Sequence, residues 1–408
     1  MRTPAEGLPA AARVVIAGAG IIGLSLAFEL ARRSVDVLVL EQGRVGSGAG
    51  GVAAGMLAPT GEAAHENPDL LRLALDSWRL YPRFIQRVEA LGGTTCGYRR
   101  DGTLFIALTR DDEAELAAMK VRQERLGLAT TWVTPNDARD LEPQLSPRIT
   151  SALLAEDDHQ VDPRLLLASL ERAVAACGGR VITRARATGF ETHNGRLARV
   201  VGRLQLRELG ERVPEHGDPA FMVECEAAVV AAGAWSGRDL AWPAAPLGVR
   251  PVKGQLVRLR GAPLLRRVIR TPQVYLVPRD SGELLAGATM EEQGFDTAVS
   301  AGAVMDLLWH ARLAVPAVYD LQISELNVGF RPATRDHLPL IGETEVPGLY
   351  VATGHFRHGV LLAPATAALL ADLIVDGKRD APALAAFRPC RPAGANPAAE
   401  TVNARITA

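Results

Sequence analysis

The fold is predicted by the segment Arg13-Val-Val-Ile-Ala-Gly18-Ala-Gly20-Ile-Ile-Gly23. The good helix formers of Leu24 to Arg33 follow it. The β-branched residues before Gly18 predict a short strand, the three glycines a tight turn, and the later residues a helix. Ser34 to Leu40 is again rich in β-branched residues and ends at Glu41. The glycines therefore lie within a βαβ unit of about thirty residues, which is typical of a Rossmann-like, dinucleotide-binding fold.

The three glycines have separate roles in such a turn. The first permits the turn, the second lets the main chain approach a pyrophosphate, and the third lets the helix pack closely on the strand. The N–H groups near Ile21 and Ile22 are expected to point at the anion from the start of the helix. Glu41 lies 23 residues after Gly18, the spacing at which a carboxylate accepts hydrogen bonds from an adenosine ribose.

The composition excludes several classes of protein. Of the 408 residues, 48% are hydrophobic and 22% are charged, which fits neither a disordered chain nor a coiled coil. The length predicts two or three domains. Lys and Arg number 45 against 46 Asp and Glu, a net charge of -1, so no global field attracts nucleic acid or an anionic membrane.

Two further patterns bear on location and on metal binding. The longest uncharged apolar run, Val14 to Phe28, has 15 residues, fewer than the roughly 20 that span a bilayer. We therefore predict no transmembrane helix and a cytoplasmic protein. No C-x-x-C pair occurs, so we predict neither a zinc site nor a thioredoxin-like pair, and no metal site. The expectation in a reducing cytosol is four buried free thiols, Cys96, Cys177, Cys225 and Cys390.

The residues after the first βαβ unit favour FAD over NAD. A nicotinamide dehydrogenase of the usual kind continues with further βα units. This chain instead enters the glycine-rich stretch Gly46-Ser-Gly-Ala-Gly-Gly51 and then Ala53-Ala-Gly-Met-Leu-Ala-Pro59. Far downstream, Glu226-Ala-Ala-Val-Val-Ala-Ala-Gly-Ala-Trp-Ser236 predicts a buried strand followed by a glycine turn. One ligand contacted by such distant segments is more typical of FAD.

Eight sequence blocks together resemble the glycine oxidase branch of the D-amino acid oxidase family of flavoproteins. They occur in the family's order across nearly the whole chain. The blocks are the opening glycine turn with Glu41, Ala53-Ala-Gly-Met-Leu57, Ala231-Ala-Gly-Ala-Trp-Ser236, Pro251-Val-Lys-Gly-Gln255, Tyr275-Leu-Val-Pro-Arg279, Gly287-Ala-Thr-Met290, Gly329-Phe-Arg-Pro332 and Gly354-His-Phe-Arg357.

The resemblance implies an α/β fold of two interleaved domains with α+β character in the second. A Rossmann-like FAD-binding domain is expected from residues 12–85, 150–240 and 325–388. A smaller substrate domain, built on a mainly antiparallel sheet, is expected from residues 86–149 and 241–324. Residues 1–11 and 391–408 are expected to be disordered tails.

Local patterns agree with this outline. Pro163 and Asp162 precede the helical pattern Arg164–Ala176 as an N-terminal proline and a candidate cap. Arg203 to Asp218 is polar and is predicted to be an exposed hairpin insertion. Short runs typical of an antiparallel sheet occur at Leu256–Leu259, Tyr275–Val277 and Leu284–Ala288.

The resemblance also implies that FAD is bound noncovalently. No cysteine follows Arg331 before Cys390, so the cysteinyl flavin link of the related sarcosine oxidases has no candidate. The residues expected to bind FAD are Gly18, Gly20, Ile21, Ile22, Gly23, Glu41, Gln42, Ala49, Gly50, Ala54, Gly55, Met56, Ala187, Gly233, Trp235, His355, Phe356, Arg357, His358, Gly359 and Val360.

By the same resemblance, three residues carry the chemistry. Arg331 matches the family's carboxylate-binding arginine, since a planar guanidinium grips a carboxylate through two parallel hydrogen bonds. Tyr275 matches the tyrosine that lines the substrate site, the alternative being an aromatic packed in the core. Met56 matches the residue beside the flavin ring, although methionine also serves as core filler.

The C-terminal block predicts a strand, a turn and a helix. Leu349–Ala352 is the predicted strand, Gly354 to Gly359 the turn, and Val360 to Val375 the helix, with Pro364 in its first turn. A helix N-terminus aimed at the flavin pyrimidine would stabilise the negative charge that collects there on reduction.

Two histidines in this turn invite a general-base interpretation that we do not adopt. The resemblance implies hydride transfer from a neutral amine, which needs no base, and it puts His355 and His358 in contact with the flavin. Arg357 is expected to add to the charge stabilisation or to frame the substrate entrance.

The leading functional prediction is an FAD-dependent oxidase of glycine and other small amines. It would convert amine, oxygen and water to 2-oxo acid, ammonia and hydrogen peroxide, and by resemblance it would supply the imine for thiazole assembly in thiamine synthesis. One alternative is a D-amino acid or imino acid dehydrogenase that passes electrons to a quinone or a partner flavoprotein. Another is a flavin-binding module that has no turnover without a partner subunit. The sequence does not decide whether the chain forms a homo-oligomer.

Overall fold

The computed structural model describes residues 8–62, 67–205, 218–238, 240–241, 247–378 and 382–391. Within them the strands are β1 (Val14–Ala17), β2 (Val37–Leu40), β3 (Met56–Leu57), β4 (Thr103–Ala107), β5 (Thr131–Val133), β6 (Ser151–Ala155), β7 (His159–Gln160), β8 (Arg180–Ile182), β9 (Ala185–His193), β10 (Arg196–Leu204), β11 (Ala220–Glu224), β12 (Ala227–Val230), β13 (Arg250–Arg260), β14 (Val268–Arg270), β15 (Tyr275–Pro278), β16 (Glu283–Gly287), β17 (Gln322–Ala333), β18 (Leu340–Glu343) and β19 (Leu349–Thr353).

The helices are of α and 3-10 type. The α-helices are α1 (Ile21–Ala31), α2 (Ala49–Val52), α3 (Pro59–Glu62), α4 (Pro68–Gly92), α5 (Arg110–Arg125), α6 (Pro135–Leu141), α7 (Pro163–Ala176), α8 (Ala301–Ala314), α9 (Gly359–Asp376) and α10 (Pro382–Ala385). Short 3-10 helices occupy Gly233–Gly237 and Pro316–Asp320.

One layer of the fold is a six-stranded sheet in the order β18-β19-β12-β1-β2-β8. Its neighbours pair in parallel except β18, which is antiparallel to β19. Every residue of β1, β2 and β12 is buried, as expected for parallel strands covered on both faces. The predicted Rossmann-like α/β class is confirmed.

Helices cover one face of this sheet. α1 packs against α7 and α9, and α4 also packs against both. All eleven residues of α1 are buried, because other elements surround the helix on every side. The helix begins at Ile21, three residues earlier than predicted, and β2 begins at Val37, three residues later. α7 is capped as predicted by Asp162, whose side chain accepts from the N–H groups of Arg164 and Leu165.

A three-stranded antiparallel sheet, β11-β10-β9, covers the opposite face. Its apolar side chains share a core with those of β1, β2 and β12. Leu8 is buried in this core, and Ala11 forms a β-bridge with Glu224. The expectation of a disordered tail at 1–11 is therefore wrong for residues 8–11.

The expectation of a disordered tail at 391–408 is also wrong for Arg391, which donates to both carboxylate oxygens of Asp336 at 2.8 Å. Residues 1–7 and 392–408 lie outside the described residues. So do residues 206–217, which hold most of the predicted hairpin insertion.

A second sheet has eight strands in the order β17-β13-β16-β15-β14-β4-β6-β5. Only the β14–β4 pair is parallel, so the mainly antiparallel prediction is confirmed. α8 packs on β13 and β16 over one face, and the opposite face carries Leu256, Val277 and Leu285. β6 and most of β17 belong to this sheet, although they fall in the ranges predicted for the FAD-binding domain.

Helix α9 accommodates a proline in its second turn. Pro364 is its sixth residue, so the prediction that Pro364 lies in the first turn is wrong. The proline lacks an N–H group and cannot bond to the carbonyl of Val360. The Tyr81 hydroxyl donates to that carbonyl at 2.5 Å instead, and the N–H of Ala365 donates to Ser77 Oγ at 3.2 Å.

By length and composition, α9 alone among the described helices could cross a membrane, and 61% of it is buried inside the protein. The cysteines are all free. Cys96 is buried, Cys177 and Cys225 are half-buried, and Cys390 is exposed, so the expectation of four buried thiols holds only for Cys96.

Candidate active site

A cavity of about 620 Å³ extends from the β1–α1 turn to the face of the eight-stranded sheet that α8 does not cover. Its volume lies within the range of roughly 300–1,000 Å³ that is usual for ligand and cofactor sites. The residues after β1, β12 and β19 all reach it. The cavity thus opens at the carboxyl ends of these parallel strands, where doubly wound sheets bind their ligands.

The glycines of the β1–α1 turn differ in what surrounds them. Gly18 has a φ of +114°, and a Cβ there would lie 2.5 Å from the Ala231 carbonyl oxygen. A Cβ on Gly23 would lie 2.0 Å from the carbonyl oxygen of Gly18, so the helix packs as closely as predicted. A Cβ on Gly20 would meet nothing within 4 Å. Gly20 therefore faces the open space that a pyrophosphate would occupy.

The Glu41 carboxylate is fixed at the end of β2. Its Oε2 accepts from the N–H of Ala19 and its Oε1 from the N–H of Gly43, both at 2.8 Å. The side chain lines the cavity and is otherwise buried. Each carboxylate oxygen has a further lone pair, which fits the predicted contact with ribose hydroxyls.

The structure brings nearly all the predicted FAD-binding residues to this cavity. Gly23 is the exception, because it lies behind the turn against Gly18. The residues that line the cavity are Gly18, Gly20, Ile21, Ile22, Glu41, Gln42, Ala49, Gly50, Ala54, Gly55, Met56, Ala187, Gly233, Trp235, His355, Phe356, Arg357, His358, Gly359 and Val360, together with the predicted catalytic residues Arg331 and Tyr275.

Arg331 projects from β17 across the neighbouring strand. Its Nη1 donates to the carbonyl oxygens of Thr289 at 3.0 Å and Lys253 at 3.4 Å. The guanidinium lies directly over Gly254 of β13, where a Cβ would come within 2.4 Å of Nη1. Two backbone carbonyls and a glycine therefore set the direction of this side chain.

Tyr275 of β15 likewise lies over a glycine of the neighbouring strand, β16. It pairs with Gly287 of β16, and a Cβ on that glycine would lie 2.6 Å from the tyrosine oxygen. No role was predicted from the sequence for Gly254 or Gly287. The available signal was an isolated glycine inside a strand pattern, which often marks a close approach.

Met56 and Tyr275 belong to one apolar cluster with Ala54 and Leu256. Arg279, which the sequence analysis also did not assign, attaches this part of the chain to β15. Its guanidinium donates to the carbonyl oxygens of Ala54 and of Val161, the latter at 3.1 Å. The side chain is buried, and burial lowers its pKa to about 10. Arg279 thereby holds the residues before Met56 against the sheet that carries Tyr275.

A further unassigned residue, Lys253, holds the segment 289–300 beside Arg331. Its buried Nζ donates to Gln293 Oε1 at 3.1 Å, to Asp296 Oδ2 at 2.5 Å and to the Ala298 carbonyl at 2.7 Å. The ring centre of Phe295 lies 5.2 Å from those of Trp235 and Phe330. The segment therefore packs on two cavity-lining aromatic residues.

The two histidines of the turn before α9 are buried. His355 Nε2 lies 3.1 Å from Thr366 Oγ1, and burial lowers the pKa of His355 to about 3, so its ring is neutral near pH 7. His358 is the residue before α9, and its N–H donates to the His355 carbonyl. Arg357 is exposed beside Phe356, its guanidinium carbon 5.5 Å from the ring centre. A neutral His355 packed against Thr366 fits the prediction that it does not act as a general base.

The residues present fit FAD. Gly20 leaves open space at the N-terminus of α1, the Glu41 carboxylate lines the cavity at the end of β2, and α9 also begins at the cavity. No cysteine is among the described residues that line the cavity. Over the same described ranges, no group of three His, Cys, Asp or Glu is arranged to hold a metal ion.

The family model for FAD dependent oxidoreductases of the DAO type matches residues 13–373. Glycine oxidase of Geobacillus kaustophilus is 34% identical over 365 residues, which cover 88% of this chain and 92% of that protein. The crystal structure of glycine oxidase from Geobacillus kaustophilus superposes with a TM-score of 0.84 at 33% identity, covering 95% of this chain and 100% of that one.

Other relatives carry different names. Bifunctional protein ThiO/ThiG of Nostoc sp. is 34% identical over 90% of this chain, which spans about half (53%) of that protein. Hydrogen cyanide synthase subunit HcnC of Pseudomonas aeruginosa is 30% identical over 88% of this chain and 92% of that protein. The crystal structure of iminodiacetate oxidase from Chelativorans sp. matches with a TM-score of 0.78 at 28% identity, over 92% of this chain and 99% of that one. The chain therefore belongs to the DAO family of FAD-dependent oxidoreductases, and FAD is its cofactor.

Proposed function

We propose that this enzyme oxidises glycine and other small amines with oxygen. One observation carries the proposal: Arg331 and Tyr275 face the same cavity as the Gly18–Gly23 turn. A guanidinium oriented by two backbone carbonyls is suited to bind the α-carboxylate of an amino acid. The resemblance to glycine oxidase over nearly the whole chain supports the same substrate class.

In the proposed reaction the chain binds and orients the substrate. Arg331 binds its carboxylate, the Tyr275 hydroxyl donates a further hydrogen bond to the same group, and Met56 with Leu256 forms an apolar wall. The Gly18–Gly23 turn and Glu41 would hold FAD, which would supply the acceptor for the hydride on the substrate's Cα. The N-terminus of α9 faces the same cavity, so its dipole stabilises negative charge there.

No histidine of the site is assigned as a base. The proposed reaction starts from the neutral amine, and His355 is buried against Thr366. Loss of a hydride from Cα and of a proton from nitrogen gives an imine, which water hydrolyses. Glycine, oxygen and water thus give glyoxylate, ammonia and hydrogen peroxide.

The identity of the electron acceptor distinguishes two candidate functions, an oxidase and a dehydrogenase. The alternative is a D-amino acid or imino acid dehydrogenase that passes electrons to a quinone or a partner flavoprotein, and one relative is named a hydrogen cyanide synthase subunit and not an oxidase. The test is to reduce the enzyme with glycine or sarcosine and then to supply either oxygen or an artificial acceptor. An oxidase releases one peroxide per amine oxidised, whereas strict dependence on the artificial acceptor would select the dehydrogenase.

We further propose that the imine from glycine serves thiazole assembly in thiamine synthesis. The bifunctional ThiO/ThiG relative supports this role. Because this chain spans about half of that relative, the activity of the other half is not assigned to it.

Other features belong to the same proposal. They are noncovalent FAD, a cytoplasmic location and the division into two interleaved domains. The absence of cysteine among the described cavity-lining residues supports noncovalent binding. The separate cores of the six- and eight-stranded sheets support two domains.

A further inference from the structure

Helix α8 and the residues on either side of it carry a cluster of exposed apolar side chains. Thirteen large hydrophobic side chains among the described residues are exposed, and six of them fall within positions 299–326. These six residues form what we call the α8 surface, namely Val299, Met305, Trp309, Tyr319, Ile323 and Leu326. Four of them, exposed by 51–72%, are more exposed than any of the other seven. Single exposed hydrophobic residues are common, whereas a cluster marks an interaction surface.

The helical part of the α8 surface runs along the outer face of α8. Met305, Trp309 and Arg312 are spaced four and three residues apart, so they lie on one face of the helix. All three are exposed, because the opposite face of α8 packs on β13 and β16. The guanidinium carbon of Arg312 lies 4.7 Å from the centre of the Tyr319 ring. The surface therefore continues from α8 onto the 3-10 helix Pro316–Asp320.

The first residues of β17, the edge strand of the eight-stranded sheet, extend this surface. Ile323 is opposite Leu259 of β13, and Leu326 is opposite Val257. The two β13 residues lie in the core beneath α8. Directly opposite residues point to the same side of a sheet, so Ile323 and Leu326 lie on the side that α8 covers. The cavity is on the other side of the sheet, and the α8 surface is therefore separate from the candidate active site.

The outer face of α8 is complementary to a second copy of itself. When two copies of the helix pack antiparallel and cross at Trp309, each residue before Trp309 meets the residue equally far after it on the other copy. Asp306 and Arg312 are exposed and lie three residues to either side of Trp309. An acidic side chain of one copy therefore faces a basic side chain of the other, and this contact occurs twice. Met305 likewise faces Leu313, which brings two apolar side chains together.

We propose that two copies of this chain pair through the α8 surface, about a two-fold axis that passes near Trp309. Such a pair is closed, because both copies use the same surface. Tryptophan, tyrosine, methionine and arginine, which the surface and its Arg312 supply, are enriched at protein interfaces. The two contacts between Asp306 and Arg312 fix the antiparallel direction of the helices. Since the cavity is on the other side of the sheet, the pairing does not depend on the proposed function.

Analytical ultracentrifugation of the full chain with FAD measures the Kd of this pair. We expect the wild-type enzyme to sediment as a dimer at micromolar concentration, and Trp309→Glu to raise the Kd at least about thirty-fold, as for a central interface residue. The melting temperature and the flavin spectrum should not change. Trp132→Glu is the matched control, because Trp132 is also exposed but lies on β5, at the opposite edge of the sheet. A monomeric wild-type enzyme, or a Kd that both substitutions change equally or not at all, would overturn the inference.

Charge reversal tests the antiparallel arrangement itself. Asp306→Arg and Arg312→Asp each place like charges opposite one another in both contacts, so each variant alone should dimerise at least about ten-fold more weakly than the wild-type enzyme. An equimolar mixture of the two variants should recover the dimer, because every basic side chain of one copy then meets an acidic side chain of the other. A mixture as monomeric as its components, or single variants that dimerise as tightly as the wild-type enzyme, would show that α8 does not pair in this way.

Discussion

Arg331 Nη1 donates a hydrogen bond to the carbonyl oxygen of Thr289 at 3.0 Å. Thr289 lies two residues beyond Gly287, over which the Tyr275 ring packs. Its own N–H donates to the Gln255 carbonyl on β13. The last residue of β16 and the two residues after it therefore position both residues proposed to bind the substrate carboxylate, through backbone groups that carry no net charge.

The first prediction concerns the planar fork of Arg331. Arg331→Lys keeps the charge but loses one of two parallel hydrogen bonds, each worth about 1.5–3 kcal/mol to a charged group. We expect kcat/KM for glycine to fall roughly ten- to a hundred-fold and Arg331→Ala to lose more. Both variants should keep FAD with a normal visible spectrum. An amine without a carboxylate is the control and should be little affected. Equal loss for both amines would refute the carboxylate role.

The second prediction compares two glycines of the same turn. A Cβ at Gly20 meets no protein atom within 4 Å, whereas a Cβ at Gly23 would collide with the Gly18 carbonyl. Gly20→Val should therefore give a folded but colourless protein, since the side chain occupies the space of the pyrophosphate. Gly23→Val should lower the melting temperature of the apoprotein. Purified Gly20→Val with a full complement of FAD would overturn the assignment of this turn.

Local patterns predicted the β1–α1 turn correctly because its strand, glycines and helix are adjacent in the chain. Local patterns did not predict that Pro364 lies in the second turn of α9. Its effect on α9 is offset by the Tyr81 hydroxyl, which is 279 residues from the Val360 carbonyl to which it donates. No local pattern reports such a partner.

The same limit explains the unassigned residues of the site. Lys253 and Arg279 lie inside blocks that the resemblance identified, but their roles depend on acceptors in other parts of the chain, 40 to 45 residues away for Lys253 and 225 for Arg279 and Ala54. Family resemblance supplied Arg331, Tyr275 and Met56, whose roles in this chain stay predictions. The domain boundaries also stay a prediction, although β6 crosses from one predicted range into the other sheet.

The third prediction concerns Arg279 as a positioning residue. Arg279→Met leaves the buried carbonyls of Ala54 and Val161 without this donor, at about 1–3 kcal/mol for each unsatisfied group. We expect a lower melting temperature and an altered flavin spectrum, because the segment before Met56 is released. The matched control is Arg266→Gln, since the exposed Arg266–Asp101 pair contributes at most about 1 kcal/mol. Loss of stability with an unchanged flavin spectrum and unchanged kcat would show that Arg279 does not position the site.

The fourth prediction concerns the pH dependence of stability through Glu325. Its hydrogen bonds with Arg164 lower the pKa of Glu325 to about 2 from its ordinary 4.5. A lowered folded-state pKa stabilises the protein above pH 4.5, and this contribution is lost as the pH falls through about 2. Both side chains are 39% exposed, so the contribution is below about 1 kcal/mol.

Denaturant unfolding of the wild-type enzyme and Glu325→Gln tests this directly. The variant should be slightly less stable near neutral pH, and the difference should shrink at about pH 3. Asp280→Asn is the control, because this carboxylate is mostly exposed in its pair with Arg99. A difference that is the same at both pH values would contradict the assigned pKa shift.

We propose that this enzyme transfers electrons from a small amino acid to FAD and then to oxygen. The most direct measurement is to mix the purified yellow enzyme with glycine in the absence of oxygen, to follow the visible absorbance of the flavin, and then to admit oxygen. We expect the flavin to bleach, to recover its colour with oxygen, and to release one hydrogen peroxide for each glycine oxidised. A flavin that neither glycine nor sarcosine bleaches would contradict this proposal.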